Sequence, residues 1–134
     1  MAGQAGDVPI GAVLADPTGT VLAVGRNERE LTGDPTAHAE IVALRAGARA
    51  AGGWNLAGTT MAVTVEPCTM CAGALVAARV SKLIFGCWQP KTGAAGSLWD
   101  VLRDPRLPHR LEVRSDVLAD DAVGLMRSFF VERR

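Results

Sequence analysis

Tyrosine is absent from this chain of 134 residues, and its aromatic side chains are three phenylalanines and three tryptophans. Few platforms are therefore available on which nucleic-acid bases could stack. An excess of charge of one sign is missing as well, because Lys plus Arg and Asp plus Glu each number 14. Net charge gives no support for nucleic-acid binding over the whole surface, and any such surface has to be local. No apolar run reaches the ~18 residues of a membrane-spanning helix. Met1 to Val8 has neither the basic start nor the apolar stretch of a secretory signal. The expectation is a cytoplasmic protein without a membrane partner. Three cysteines, two of them close together in Cys68-Thr69-Met70-Cys71, do not make a disulfide framework, and a metal site explains the close pair better.

What is present suits one globular unit. With 49% hydrophobic and 21% charged residues, the chain can bury a core, and its length predicts a single domain over 1–134. Basic residues gather locally between Arg79 and Arg114, where Arg79, Lys82, Lys91, Arg103, Arg106 and Arg110 stand among fewer acids, and again in the tail at Arg127, Arg133 and Arg134. Both stretches read equally as ordinary solvated faces.

Ile10 to Ala15 and Val21 to Val24 are apolar runs separated by Asp16-Pro17-Thr18-Gly19, the pattern of a β-hairpin. A helix is expected from about Thr36, a suitable N-cap, to Ala51, closed by Gly52-Gly53. Thr59 to Val65 predicts a buried strand, Pro67 to Ala78 a second helix with proline in its first turn, and Val80 to Phe85 a further strand. Beyond the glycine- and alanine-rich stretch Lys91 to Ser97, expected as a loop, the pattern predicts a short helix over Leu98 to Arg103. A weak strand over Leu111 to Arg114 and a helix from Asp120 to Glu132 follow. The order β-β-α-β-α-β implies an α/β sandwich on a mixed sheet.

Cys68 and Cys71 stand at i and i+3, one face of a helical first turn, where two sulfurs can reach one ion and the helix N-terminus favours thiolate. Alone, the pair could equally be a structural zinc knuckle, a redox couple or two small buried residues. A structural zinc site needs four protein ligands, and the spare candidates are only Cys87, His38 and His109. Three ligands with an open position describe the chain better, and His38, at the start of the other helix, is the natural third. Glu40, two residues on, could stand beside the metal without binding it and move a proton there, although a glutamate in a first helical turn also simply favours the helix dipole. The resulting His38-Ala39-Glu40 and Pro67-Cys68-Thr69-Met70-Cys71 match the H-x-E…P-C-x-x-C signature of zinc-dependent deaminases.

With Val8-Pro9-Ile10-Gly11-Ala12-Val13, Asp34-Pro35-Thr36-Ala37-His38-Ala39-Glu40, Glu66 to Ala74 and Lys91-Thr92-Gly93-Ala94-Ala95-Gly96-Ser97, the chain resembles the cytidine and deoxycytidylate deaminase superfamily. The last of these segments resembles in particular its bacterial tRNA-specific adenosine deaminases. The resemblance implies a three-layer α/β/α sandwich with a mixed five-stranded sheet, one Zn²⁺ per subunit held by His38, Cys68 and Cys71, and Glu40 as acid and base. It implies conversion of adenosine to inosine at the wobble position of a tRNA anticodon by a homodimer, with Asn27, Ala39 and Glu66 at the base. Asn27 could equally just close a turn after a strand. Lys91 is expected to meet a phosphate, helped by loop amides that Gly93 and Gly96 leave open to approach. A deaminase of free nucleobases or nucleosides, and a noncatalytic zinc-stabilised subunit, are the competing readings. The chain departs from the pattern in two further ways. Only Met1 to Asp7 precede the Val-Pro-Ile-Gly segment where members carry a helix, so a truncated start is expected, and Gln89 stands where an acidic residue is common.

Overall fold

The computed structural model describes residues 8–118 together with Gly6. Both the helix expected at Asp120 to Glu132 and the basic tail lie outside the described residues. Strands β1 (Gly11–Ala15) and β2 (Val21–Arg26) form the expected hairpin. Its turn is fixed by Asp16, whose Oδ1 accepts from the Thr18 and Thr20 amides at 2.9 and 3.0 Å. A short helix α1 (Arg29–Thr32), unforeseen in a polar segment, follows, then α2 (Ala39–Ala51), β3 (Thr60–Val65), α3 (Thr69–Ala77), β4 (Lys82–Cys87) and β5 (Glu112–Arg114).

The five strands form one mixed sheet in the order β2-β1-β3-β4-β5. β1 is antiparallel to both β2 and β3, whereas β3, β4 and β5 run parallel. A parallel neighbour requires a crossover, and α3 supplies the one between β3 and β4. Alternation along the strands sends Leu14, Met61, Leu83 and Phe85 to one face, where they are fully buried with Leu75 of α3 and Ala43 of α2. On the other face Val13, Val24, Ala62 and Ile84 line a groove of about 470 Å³ together with Val117 and Leu118. No helix among the described residues is long and apolar enough to cross a membrane.

Three local expectations are corrected. Thr36 does not cap α2; its hydroxyl and amide both bond Asp34 Oδ1, at 2.7 and 2.8 Å, and His38 takes the N-cap position instead. Pro67 lies outside α3, because Cys68 is the N-cap. Leu98 to Arg103 is not a helix. Its amides bond back into the preceding loop, Leu98 N to Gly93 O at 3.0 Å and Val101 N to Ala94 O at 2.9 Å, which leaves no helical ladder.

The approach of α2 to the hairpin is set by two glycines. A Cβ at Gly25 would stand 2.2 Å from the Ala39 carbonyl oxygen and 2.6 Å from the Ala43 nitrogen, and one at Gly47 would stand 2.3 Å from Leu14 Cδ2. Gly73, inside α3, has nothing within 4 Å of such an atom. Gly25→Ala is therefore expected to cost about 1–3 kcal/mol through overpacking against backbone. Gly73→Ala is expected to gain about 0.5–1 kcal/mol from helix propensity. Denaturant unfolding of both variants checks the contrast, and equal effects would show that the α2 contact yields freely.

Candidate active site

Two helices start at the same place. His38, extended at φ −68° and ψ 154°, is the N-cap of α2, and Cys68, extended at φ −73° and ψ 176°, is the N-cap of α3. Neither side chain caps its own helix, so both are free to turn toward the gap between them. Cys71, one helical turn beyond Cys68, is fully buried. His38 Nδ1 lies 3.5 Å from Cys71 Sγ and 3.7 Å from Cys68 Sγ. All three candidate ligand atoms fall within 4.8 Å of one another. With bonds of roughly 2.3 Å to sulfur and 2.05 Å to nitrogen, tetrahedral zinc separates S from N by about 3.6 Å, so the donor set and its spacing fit that ion. The group of His, Cys and Cys is placed to hold a metal.

The acids and thiols perturb one another. A hydrogen bond from Cys71 holds the Cys68 thiol down at about 5, assisted by His38, while the same contact and burial push Cys71 up. Glu40, in the first turn of α2 and 4% exposed, is pushed up to about 7, chiefly by burial, with the Cys68 charge adding to it. A carboxyl pushed toward neutrality suits a group that takes and returns one proton.

Asn27, Ala39, Glu40, Glu66 and Cys68 line one pocket of about 190 Å³ with His38. That is below the roughly 300–1,000 Å³ of pockets for drug-sized ligands and suits one planar ring system. Asn27 closes the turn after β2, the role its sequence context offered, and it also lies in the pocket lining. It is buried against the pocket, and its Oδ1 accepts from the Arg29 amide at 3.2 Å, which leaves the amide NH₂ as its first offer to a ligand.

Arg29 and Thr92 line the pocket too, and sequence reasoning missed both. Arg29 belongs to the unforeseen α1, and its nearness to Asn27 was the one available signal. Gln89, the departure from the family pattern, is also in the lining.

Lys91 is not among the lining residues; it is exposed on the loop. The expectation that loop amides cradle a phosphate is overturned, because those amides are already engaged. Gly93 N bonds Gln89 O and Ala94 N bonds Pro67 O, both at 2.8 Å, and Gly96 N bonds Trp99 O at 2.9 Å. Ala95 N and Ser97 N both donate to Glu66 Oε2, at 2.9 and 3.0 Å. Gly93 is small to admit Glu66, not a ligand: a Cβ there would meet the Glu66 carboxylate at 2.2 Å. Of the neighbouring arginines, Arg103 and Arg106 are paired with Asp100 and Asp104.

Residues 1–87 match the model of the cytidine and deoxycytidylate deaminase zinc-binding region. A tRNA-specific adenosine deaminase of Haemophilus influenzae is 45% identical over 129 residues, 96% of this chain and 75% of the relative. Its counterpart in Bacillus subtilis is 44% identical over 131 residues, 98% of this chain and 81% of the relative. A solved structure from work on A-to-I editing by tRNA:A34 deaminases superposes with a TM-score of 0.88 at 39% identity, covering 92% of this chain and 89% of that one. A guanine deaminase from Nitrosomonas europaea shares the fold, with a TM-score of 0.74 at 24% identity over 91% of this chain and 72% of its own. Matches of that extent and identity make the chain a member of the cytidine and deoxycytidylate deaminase family, on the branch of the tRNA-specific adenosine deaminases.

Proposed function

We propose that the chain converts adenosine to inosine at the wobble position of a tRNA anticodon, acting in the cytoplasm as a homodimer with one zinc per subunit. The observation that carries this reading is His38 Nδ1 at 3.5 and 3.7 Å from two sulfurs, with Glu40 buried in the same ring-sized pocket. His38, Cys68 and Cys71 would hold the ion. Zinc bound there lowers the pKa of a water towards about 7 and so supplies the nucleophile for hydrolysis.

Glu40 does the proton work. Its carboxylate takes a proton from the attacking water and passes it to the ring nitrogen beside the reacting carbon. It then assists departure of the exocyclic amine as ammonia, leaving a carbonyl where the amine was. Ala39, fully buried at the pocket wall, leaves room for a flat base, and Asn27 offers its NH₂ to an acceptor on the base edge. Such a pocket reaches only a nucleotide turned out of its stack, which suits an anticodon loop. Lys91, outside the pocket, is set to meet a phosphate of the same RNA.

Support for a dimer comes from Met70, Leu98 and Trp99, which are 37%, 54% and 58% exposed. They belong to the start of α3 and the segment after the loop, joined by a bond from Trp99 Nε1 to Thr69 Oγ1 at 3.0 Å. Large apolar side chains gathered in this way mark an association surface.

Three outcomes test the reading. The purified chain is expected to hold one zinc per subunit by elemental analysis, and Glu40→Gln to keep it while deamination of an anticodon stem-loop falls by about 10²–10⁴-fold. Activity within about tenfold of the parent would remove Glu40 from the acid–base role. Lys91→Ala is expected to weaken stem-loop binding and to reduce its log–log salt slope by about one, with zinc content unchanged. Identical binding and slope, combined with turnover of free guanine or cytosine, would favour a small-substrate deaminase. Sedimentation at micromolar concentration is expected to show a dimer that Trp99→Glu converts to monomer; a monomeric parent would refute the assembly.

A further inference from the structure

Glu66 presents an arrangement that the proton chemistry does not use. Its side chain is buried, at 3% exposure for the residue, with no cation paired to it among the described residues. The compensation is a set of donors from one loop. Oε1 accepts from the Gln89 amide at 2.9 Å and from the Ser97 hydroxyl, and Oε2 accepts from the Ala95 and Ser97 amides at 2.9 and 3.0 Å. The two oxygens of a carboxyl side chain offer enough acceptor sites to match four converging donors. The donors, at Gln89, Ala95 and Ser97, span the segment 89–97, which takes in the loop from Lys91 to Ser97. Between them lie Thr92, which lines the base pocket as Gln89 does, and Lys91, on the exposed side. The same loop is tied to the metal-bearing segment, with Gly93 bridged to Cys68 and Ala94 N bonded to Pro67 O.

We propose that Glu66 is a positioning residue: its carboxylate occupies the anion site formed by the amides of residues 89–97 and holds that loop as the outer wall of the base pocket. The proposal rests on the functional reading above for the identity of the substrate, but not for the clamp itself. Glu66 thereby couples two distances that substrate binding requires to be fixed together. One runs from the metal-ligating side chains to the wall at Gln89 and Thr92, and the other from that wall to Lys91. The carboxylate need not touch the base to set either. Loosening the loop removes contacts made equally in the ground and transition states, so the loss appears in KM before it appears in kcat.

Glu66→Gln tests this in the full chain, because it preserves shape while placing an NH₂ against N–H donors on one side. Hydrogen exchange at the Gln89, Ala95 and Ser97 amides is expected to speed by about tenfold or more as the loop opens locally. For the anticodon stem-loop, KM is expected to rise by about tenfold with kcat within about threefold of the parent. Zinc content should match the parent. Ser97→Ala, which removes one of the four donors and keeps both oxygens of Glu66, should act in the same direction and less strongly; if Glu66→Gln does not fold, exchange in this variant decides. Unchanged exchange in the loop would overturn the clamp. So would a loss of zinc and kcat at steady KM, which would make Glu66 a support for the metal segment alone. If the parent itself does not act on the stem-loop, the functional reading fails, and the exchange result still decides the clamp.

Discussion

The position of His38 depends on a contact that has no room for one more carbon. The first turn of α2 lies on β2 where Gly25 leaves the Ala39 carbonyl and the Ala43 amide against bare backbone. His38 is the residue before Ala39, so its backbone is placed by a backbone-to-backbone distance. The start of α3 is fixed independently, by the end of β3 and by Glu66 N bonded to Cys87 O at 2.8 Å. Ligand spacing is thus the difference between two rigid placements on one sheet, and neither helix can move without changing it. Each helix also points its N-terminal end at the gap, where the aligned peptide dipoles favour anions, although burial outweighs that effect at Glu40.

The site stands where parallel strands finish. β3 ends at Val65, one residue before Glu66 and three before Cys68, and β4 ends at Cys87, two residues before Gln89. In open α/β sheets this edge is where ligands gather, since the chain leaves each strand there and turns into loops and helix starts. The antiparallel hairpin contributes differently: Asn27 follows the end of β2 and is tied to its neighbour Ile10, also in the pocket lining, by its amide bond to Ile10 O at 3.1 Å.

Much of this was legible in the sequence because it depends on local spacing. The hairpin, the main strands and the convergence of His38 with Cys68 and Cys71 follow from periodicity and from side chains chosen for their chemistry. Features created by distant partners were not legible. Thr36 has the chemistry of a cap, but Asp34 competes for its hydroxyl. Leu98 to Arg103 has helical composition, yet the preceding loop takes its amides. The glycines at 93 and 96 suggested an anion site, and there is one, but the anion is a carboxylate 23 to 31 residues earlier in the chain. No local pattern announces that Gly25 will face the first turn of a helix.

The two uncapped helix starts have a consequence for the protein's life in the cell. Residues that usually open helices, such as serine or aspartate, bond the orphan amides of the first turn and contribute about 1 kcal/mol each. His38 and Cys68 occupy those positions without making such bonds. Both helix beginnings therefore lack a conventional side-chain cap, and a group bound between them can add stability there. A metal joining them would close a loop between residues 38 and 68 and serve as a cap shared by two helices. By mass action, every tenfold rise in free metal above its dissociation constant then adds about 1.4 kcal/mol to the folded state. Metal supply would then govern two things at once, since loss of the ion would end turnover directly and would also lower the fraction of the chain that is folded and protected from degradation.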